Sequence, residues 1–158
     1  MIATHPLPAV DIARAGPEAA ADCARLHAVL FADAWDRPSI AALIAHPAVM
    51  AFLAVGPTPD QTLGFILGQV AADEAEVLTL GVEPDWQRCG IATRLIAALA
   101  EAARAAGARN LLLDVDAGNT AALALYHKLG FAERGRRTAY YVRAGGAADA
   151  VTLARPLV

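Results

Sequence analysis

The sequence predicts a mixed α/β fold, in which helices cover a β-sheet. Two observations support this prediction. Strand-like segments separated by turn residues come early in the chain and are typical of antiparallel hairpins. A strand–helix–strand unit follows near the middle, and a chain that combines the two patterns builds a mixed sheet with helices on its faces. The 158 residues are about one domain's worth, so we expect residues 1–158 to form a single domain.

The first third of the chain is predicted to be mainly helical. Residues 17–31 are rich in alanine, and their larger apolar side chains have the spacing of one helix face. A loop over residues 32–38 follows, which holds Trp35, and residues 39–46 are predicted as a second, short helix.

Three strands are predicted next. Residues 49–55 and 62–70 are mostly apolar and are separated by a turn-forming run that starts at Gly56. Residues 76–82 are predicted as a third strand, which ends before Pro84 because proline cannot donate a hydrogen bond to a sheet.

The second half alternates between helices and strands. Residues 91–106 are the clearest predicted helix, with an apolar stripe and with Gly107 where a helix commonly ends. Residues 111–115 are predicted as a buried strand, and Asn119 as the N-cap of a helix that runs through Leu129. The chain is then expected to finish with two strands around a glycine-rich turn, at residues 132–142, Gly145-Gly146 and residues 149–157.

Composition argues against several classes of protein. No apolar run reaches the ~18 residues that span a bilayer, and residues 1–8 have neither the basic nor the apolar region of a signal peptide. Two cysteines, Cys23 and Cys89, suggest a reduced, cytoplasmic protein. The net charge of −3 argues weakly against a nucleic-acid binder. We therefore expect no membrane or nucleic-acid partner.

The junction between the third strand and the clearest helix is a candidate anion site. Free backbone N–H groups and the helix dipole meet there, and a pyrophosphate fits such a site. Gly90 leaves room for a phosphate and tolerates positive φ, Ala92 keeps the first turn small and Arg88 adds positive charge. No Gly-Lys-Ser/Thr follows, which argues against a Walker loop, and two glycines of a dinucleotide-binding fingerprint are missing.

A second pattern follows the strand over residues 111–115. Asn119 and Tyr126 are seven residues apart, almost two helical turns, so both side chains are expected on one side of the helix. A ligand lying along that side can contact both.

Together the two patterns resemble the Gcn5-related N-acetyltransferase (GNAT) superfamily. Gln87, Gly90 and Ala92 match its Q/R-x-x-G-x-G/A signature, and the run from Asn119 through Tyr126 to Phe131 resembles its second landmark. The resemblance implies a GNAT fold with a mostly antiparallel, splayed sheet. It also implies that acetyl-CoA, without a metal, lies in a V-shaped cleft. The residues it assigns to acetyl-CoA are Leu80, Gly81, Val82, Gln87, Arg88, Cys89, Gly90, Ile91, Ala92, Thr93, Asn119 and Tyr126.

Within this superfamily the segment from about Phe65 to Leu157 is similar to the RimI branch. Those bacterial enzymes acetylate the N-terminal alanine of a small-subunit ribosomal protein. The resemblance therefore implies that the acceptor is the N-terminus of a protein, such as a ribosomal protein. It also implies Tyr126 as the general acid that protonates the CoA thiolate. The acceptor is expected to contact the side chains Trp35, Tyr140 and Tyr141, although core or strand packing explains these three about equally well.

Several carboxylates are candidates for the general base. RimI enzymes carry a glutamate at the position of Asp114, which is one methylene shorter, and Asp116 is a rival on the same strand face. Glu74 and Glu76 are more distant candidates. Backbone N–H groups near Leu80, Gly81 and Val82 are expected to polarise the thioester carbonyl, and Gly81 suits a β-bulge that opens the strand.

Two rival functions remain open. One is acetylation of a small amine, such as a polyamine, an aminoglycoside or an amino acid, because the phosphate loop contacts only CoA. The other is a CoA-binding regulatory domain without catalysis, against which Tyr126 and the strand carboxylate weigh. Cys23 and His27 have a spacing that suits a metal, but no second ligand pair is evident, so a buried or surface pair without a metal is the simpler interpretation.

Overall fold

The computed structural model describes residues 10–58, 60–143 and 146–158. Predictions for residues 1–8 and for Gly145 lie outside the described residues. Within the described ranges the chain forms seven strands and four α-helices. In chain order these are β1 (Asp11–Ala15), α1 (Ala20–Leu30), α2 (Arg37–Ala45), β2 (Val49–Val55), β3 (Thr62–Ala71), β4 (Glu74–Val82), α3 (Ile91–Ala105), β5 (Asn110–Asp116), α4 (Thr120–Lys128), β6 (Ala132–Arg143) and β7 (Gly146–Pro156).

The strands form one sheet in the order β1-β2-β3-β4-β5-β7-β6. All neighbours are antiparallel except β4 and β5, which are parallel and are connected through α3. This arrangement confirms the predicted mixed, mostly antiparallel sheet. No helix among the described residues has the length and apolar character needed to cross a membrane.

The parallel pair β4–β5 separates soon after it begins. The two strands pair only at Glu74, Ala75 and Glu76, opposite Asn110, Leu111 and Leu112. Beyond this point the outer half of β4 pairs only with β3, and the outer half of β5 only with β7. The sheet is therefore open between the ends of β4 and β5, as the resemblance implies.

Helices cover both faces of the sheet. On one face α3 packs an apolar stripe that includes Leu95, Ile96 and Leu99 against the sheet, where Leu111 and Leu113 of β5 belong to the same core. On the other face α1 and α2 pack against β2, β3 and β4. Their buried side chains there are Cys23, Leu26, Ile40 and Ile44, which meet Phe65 and Leu67 of β3.

Some element boundaries differ from the prediction. Strand β1 has no counterpart among the predicted strands, because it lies at the sheet edge and three of its five residues are exposed, so no apolar alternation marks it. Helix α2 begins at Arg37, inside the predicted loop, because the Asp36 side chain caps it by accepting a hydrogen bond from Ser39 N (2.8 Å).

The β-bulge in β4 lies at a different residue from the predicted one. Leu67 is opposite Thr79 while Gly68 is opposite Val77, so the extra residue is Leu78 and not Gly81. Gly81 is constrained by packing instead. A Cβ there would lie 2.7 Å from Leu30 Cδ1 and 2.8 Å from Phe65 Cε1. The glycine lets α1 and the ring of Phe65 approach the strand closely.

Candidate active site

The loop between β4 and α3 is held in shape by its own hydrogen bonds. A single 3₁₀ turn, Pro84–Trp86, follows the strand. Gln87 then turns back, and its side-chain amide donates to the carbonyl oxygen of Val82 (3.0 Å). The signature glutamine therefore closes the loop onto the end of β4.

Two left-handed residues bring the chain from this loop into α3. Arg88 has φ of 62° and Gly90 has φ of 85°, and Gly90 is the N-cap of the helix. Glycine adopts this conformation without the cost that a side chain adds. The N–H groups of Ile91, Ala92 and Thr93 then begin the helix, where no carbonyl one turn earlier can accept from them. The junction has the local structure of an anion site.

A cavity of about 500 Å³ lies in front of these N–H groups. Its walls come from the end of α1, the outer half of β4, the loop, the first turn of α3 and one side of α4. They are Leu30, Phe31, Leu80, Gly81, Val82, Trp86, Gln87, Arg88, Gly90, Ile91, Ala92, Thr93, Ala121, Ala122, Leu125 and Tyr126. Ten of the twelve residues assigned to the cofactor thus share one cavity; Cys89 and Asn119 do not line it.

A second cavity of about 350 Å³ adjoins the first. The two share the wall residues Phe31, Leu80, Ala122 and Tyr126. The second cavity lies in the opening between β4 and β5. Its remaining walls are Val77, Leu78, Thr79, Leu113, Asp114, Val115, Asp116, Asn119 and Tyr141.

Tyr126 lies where the two cavities meet. Its ring packs edge-on against Phe131, with 5.8 Å between the centroids. Burial raises the pKa of its phenol above the usual value of 10.0, because the phenolate loses solvation. The Tyr126 phenol therefore keeps its proton at physiological pH.

Both candidate carboxylates line the second cavity. One oxygen of Asp114 accepts from Thr152 Oγ1 (2.7 Å), and the other lies 3.9 Å from Arg137 Nη1. Asp116 projects from the same strand face and accepts from Gly118 N (2.8 Å), in the turn that leads to α4. Glu74 and Glu76 lie at the paired end of β4, outside both cavities.

The predicted acceptor residues are only partly brought together. Tyr141 lines the second cavity, while Tyr140 is half exposed and packs edge-on against Tyr141, with 5.1 Å between the centroids. Trp35 lines neither cavity and stacks on His27, with 5.0 Å between the ring centroids. Tyr141 thus lies in the cleft and Tyr140 does not, in a part of β6 where the register with β7 shifts between Arg137 and Tyr141.

Two residues assigned to the cofactor have structural partners. Asn119 is the N-cap of α4, since its side-chain oxygen accepts from Ala122 N (3.1 Å), and it also lines the second cavity. The Cys89 thiol lies 3.5 Å from the carbonyl oxygen of Gln87, inside the loop.

The sequence reasoning missed several wall residues. Ala121, Ala122 and Leu125 lie on the side of α4 that also carries Tyr126, so helical spacing alone identifies them. Phe31 joins the walls of both cavities from the end of α1, and no local pattern signals that contact. Within the described residues, no group of three or more His, Cys, Asp or Glu side chains could hold a metal ion.

Comparison with known proteins adds to the geometry. The family model described as acetyltransferase (GNAT) family matches residues 18–131. The [ribosomal protein bS18]-alanine N-acetyltransferases of Salmonella typhimurium and Escherichia coli are both 40% identical to this chain, over 98 and 93 residues. The matches cover 62% and 59% of this chain but 66% and 63% of those enzymes, just under two thirds of their length.

Solved structures agree with these matches. The crystal structure of the Escherichia coli ribosomal-protein alanine N-acetyltransferase has a TM-score of 0.85 and 28% identity, and the alignment covers 94% of each chain. A NatC complex bound to Gag peptide and CoA has a TM-score of 0.82 at 20% identity, over 94% of this chain and 99% of that one. The second likeness concerns the fold alone.

Proposed function

The chain belongs to the acetyltransferase (GNAT) family, and from that premise we propose that it transfers the acetyl group of acetyl-CoA to the N-terminal α-amine of a protein. One observation carries the proposal. The cavity at the N-terminus of α3 and the cavity beside Asp114 meet at the half-buried ring of Tyr126. A pantetheine-linked thioester entering from one side and an amine from the other would meet at a proton donor.

Acetyl-CoA is the co-substrate in this proposal. Its pyrophosphate is assigned to the N–H groups at the start of α3, with Arg88 adding positive charge. Its pantetheine arm is assigned to the opening beside β4, where the sheet lacks a neighbouring strand.

Backbone direction supports two donors for the oxyanion. Glu83 N donates to Leu63 O on β3 (2.7 Å), and successive residues of an antiparallel strand point their N–H groups to opposite sides. The N–H groups of Leu80 and Val82 therefore point away from β3, toward the opening. That of Gly81 points toward β3, so we assign the polarising role to Leu80 and Val82.

The reaction balances with acetyl-CoA and the amine alone. The lone pair of the neutral amine attacks the thioester carbonyl carbon and forms a tetrahedral intermediate with an oxyanion. The C–S bond then breaks, and the CoA thiolate takes the proton of Tyr126, which solvent restores. Asp114, through a bridging water that compensates for the short side chain, takes the proton from the ammonium form of the acceptor before the attack, and the excess proton on the tetrahedral nitrogen leaves to solvent.

The names of the relatives and the shape of the second cavity support a protein N-terminus as acceptor. The curated relatives are named for the alanine of a ribosomal protein. A cavity of about 350 Å³ between two strands suits a peptide end with a small first side chain. With a ribosomal protein as acceptor, the enzyme would act in the cytoplasm, and residues 1–158 would act as one catalytic domain.

An acceptor panel tests the proposal. We expect short peptides that begin with Ala or Ser to be acetylated on the α-amine, and peptides that begin with Lys or Leu to be poor acceptors because the larger side chain does not fit. The measurement is kcat/KM for each acceptor, with tandem mass spectrometry to locate the acetylated nitrogen. Faster turnover of a polyamine or an aminoglycoside than of every peptide would replace this acceptor class with small amines.

A further inference from the structure

His27 is a buried histidine that lies beside the candidate active site without lining either cavity. It projects from the last turn of α1 and is 3% exposed. Its ring packs between Phe31 (4.3 Å between centroids), Trp35 (5.0 Å) and Phe65 of β3 (5.9 Å). Phe31 and Trp35 both belong to residues 31–36, the connection between α1 and α2, which we name the acceptor loop.

Both ring nitrogens of His27 are hydrogen-bonded, and their partners fix its tautomer. Nδ1 lies 3.0 Å from the backbone N–H of Trp35, which can only donate. Nδ1 is therefore unprotonated, and Nε2 carries the hydrogen and donates to Thr79 Oγ1 (3.1 Å). Burial lowers the pKa of His27, which favours the same neutral ring.

The two hydrogen bonds connect the acceptor loop to a wall of the cleft. Thr79 belongs to the outer half of β4, is opposite Leu67 of β3, and lines the second cavity. Phe31, at the start of the loop, lines both cavities. The imidazole thus bridges the loop and the strand that form two sides of the space for the amine.

We propose that His27 is a positioning residue, which fixes the acceptor loop against β4 and so sets the position of Phe31 for acceptor binding. The proposal rests on the proposed function for its kinetic effect, since it concerns the amine side of the same site. It assigns His27 no contact with either substrate. Its effect is on acceptor binding, because Thr79 and Phe31 both line the second cavity and neither belongs to the loop and helix start that form the anion site.

A matched pair of variants separates the two hydrogen bonds. His27→Asn places an amide oxygen near the position of Nδ1 and can still accept from Trp35 N, but it loses the bond to Thr79. His27→Gln places an amide N–H near Nε2 and can still donate to Thr79, but it loses the bond to the loop. Thr79→Val keeps the shape of the strand and removes the same bond as His27→Asn, this time from the β4 side.

We expect the variants to change the KM for the acceptor and to leave the affinity for acetyl-CoA unchanged. His27→Gln and Thr79→Val should each raise the KM for an Ala-peptide roughly tenfold, as expected for a buried hydrogen bond that is lost. The Kd for acetyl-CoA should stay within about twofold of wild type, because the anion site is untouched. An unchanged acceptor KM in both variants, or an equal loss of acetyl-CoA affinity, would overturn the proposal.

Hydrogen exchange gives a readout that needs no turnover. The Trp35 amide should exchange faster in His27→Gln than in wild type, whereas His27→Asn should keep the wild-type protection of this amide. Mass spectrometry of peptides from residues 31–36 measures the exchange. Equal protection of Trp35 in His27→Gln and wild type would contradict the assigned bond. A wild-type protein that acetylates no peptide would refute the proposed function, and this exchange experiment would still decide whether His27 holds the loop.

Discussion

At the scale of single residues, the burial of Tyr126 fits the role of general acid proposed for it. The phenol has a raised pKa because the phenolate is poorly solvated in the cleft. A raised pKa keeps the proton in place to higher pH, so loss of that proton should cause no decline in activity below about pH 10. The same burial puts the ring against Phe131 and against both cavities, where a departing thiolate would be.

Replacement of the phenol tests this role. Tyr126→Phe keeps the ring and its packing and removes the proton donor. We expect kcat to fall by roughly ten- to a thousandfold, the usual range for acid catalysis, with little change in the affinity for acetyl-CoA. Steady-state kinetics and calorimetry measure the two quantities. A variant with wild-type kcat would show that the thiolate leaves without this proton.

The two aspartates of β5 can be distinguished by pH. An α-amine has a pKa near ~8, so below that pH most of the acceptor must lose a proton before it attacks. Asp114→Asn should therefore reduce the rate most at low pH, and raising the pH should partly restore it. Asp116→Asn is the matched control, since it removes a carboxylate from the same cavity and the same strand face. The reverse pattern in the two pH profiles would make Asp116 the base.

The resemblance predicts Asp114 as the general base, and in the structure the Asp114 carboxylate is held by partners on other strands. The hydrogen bond from Thr152 on β7 orients one carboxylate oxygen, and Arg137 on β6 faces the other. Neither partner is close in sequence, so no local pattern could predict them. The strand face was predictable, because alternation puts positions 114 and 116 on one side.

At the scale of elements, the strand–loop–helix junction was the most predictable part of the site. The motif alone located the glycine, and the structure confirms it at φ of 85° as the N-cap of α3. Glycine is needed there for its backbone conformation, and a local sequence motif is sufficient to encode a local conformation. The positive φ of Arg88, by contrast, is not typical of an arginine and was not predictable.

A pair of glycines at the two ends of α3 makes a controlled test of the anion site. Gly90→Glu puts a carboxylate where the pyrophosphate should bind, and it should abolish acetyl-CoA binding while circular dichroism shows a folded protein. Gly107→Glu is the control. Gly107 follows the same helix and also has a positive φ, of 98°. A Cβ at this position would have no contact within 4 Å outside its own stretch of chain. A side chain there therefore meets similar backbone strain, away from the cleft. Similar affinities of the two variants for acetyl-CoA in calorimetry would refute the assignment of the loop.

The elements that the sequence did not predict share a physical cause, since each depends on pairing with another strand. Strand β1 is recognised only through its pairing with β2, and its own residues carry no apolar alternation. The bulge at Leu78 depends on the register between β3 and β4, which no single strand encodes. Elements with a strong internal period, such as α3, need no partner to be recognised, so their boundaries were predicted within a residue.

At the scale of the whole molecule, the site is a consequence of how the sheet is paired. A strand that leaves its parallel neighbour after three residue pairs has unpaired backbone groups along its outer half. Such groups in a partly buried cleft gain from a partner. The extended, amide-containing arm of CoA can take the place of the missing strand. The order of the strands was not derivable from local patterns, whereas the resemblance implied the splay.

The open pairing predicts that acetyl-CoA will stabilise the two halves of the sheet together. A ligand that binds only the folded chain adds about 2.7 kcal/mol to stability at a concentration of about 100 times its Kd. For a domain of this size that gain corresponds to a rise in Tm of roughly 5–10 °C. Differential scanning calorimetry, with and without acetyl-CoA, measures the shift.

The distribution of that stabilisation separates cleft binding from binding at the helix end alone. With acetyl-CoA, hydrogen exchange should slow at the start of α3 and also along the outer half of β4 and in α4, because the ligand spans the opening between the strands. Adenosine 3′,5′-bisphosphate is the matched control, since it carries phosphates but no pantetheine arm, and it should protect only the loop and the first turn of α3.

Equal protection of the outer half of β4 by both ligands would contradict the placement of the arm in the opening. Protection by neither ligand at the start of α3 would contradict the anion site. The expected difference between the ligands arises because β4 lacks hydrogen-bond partners on its open side.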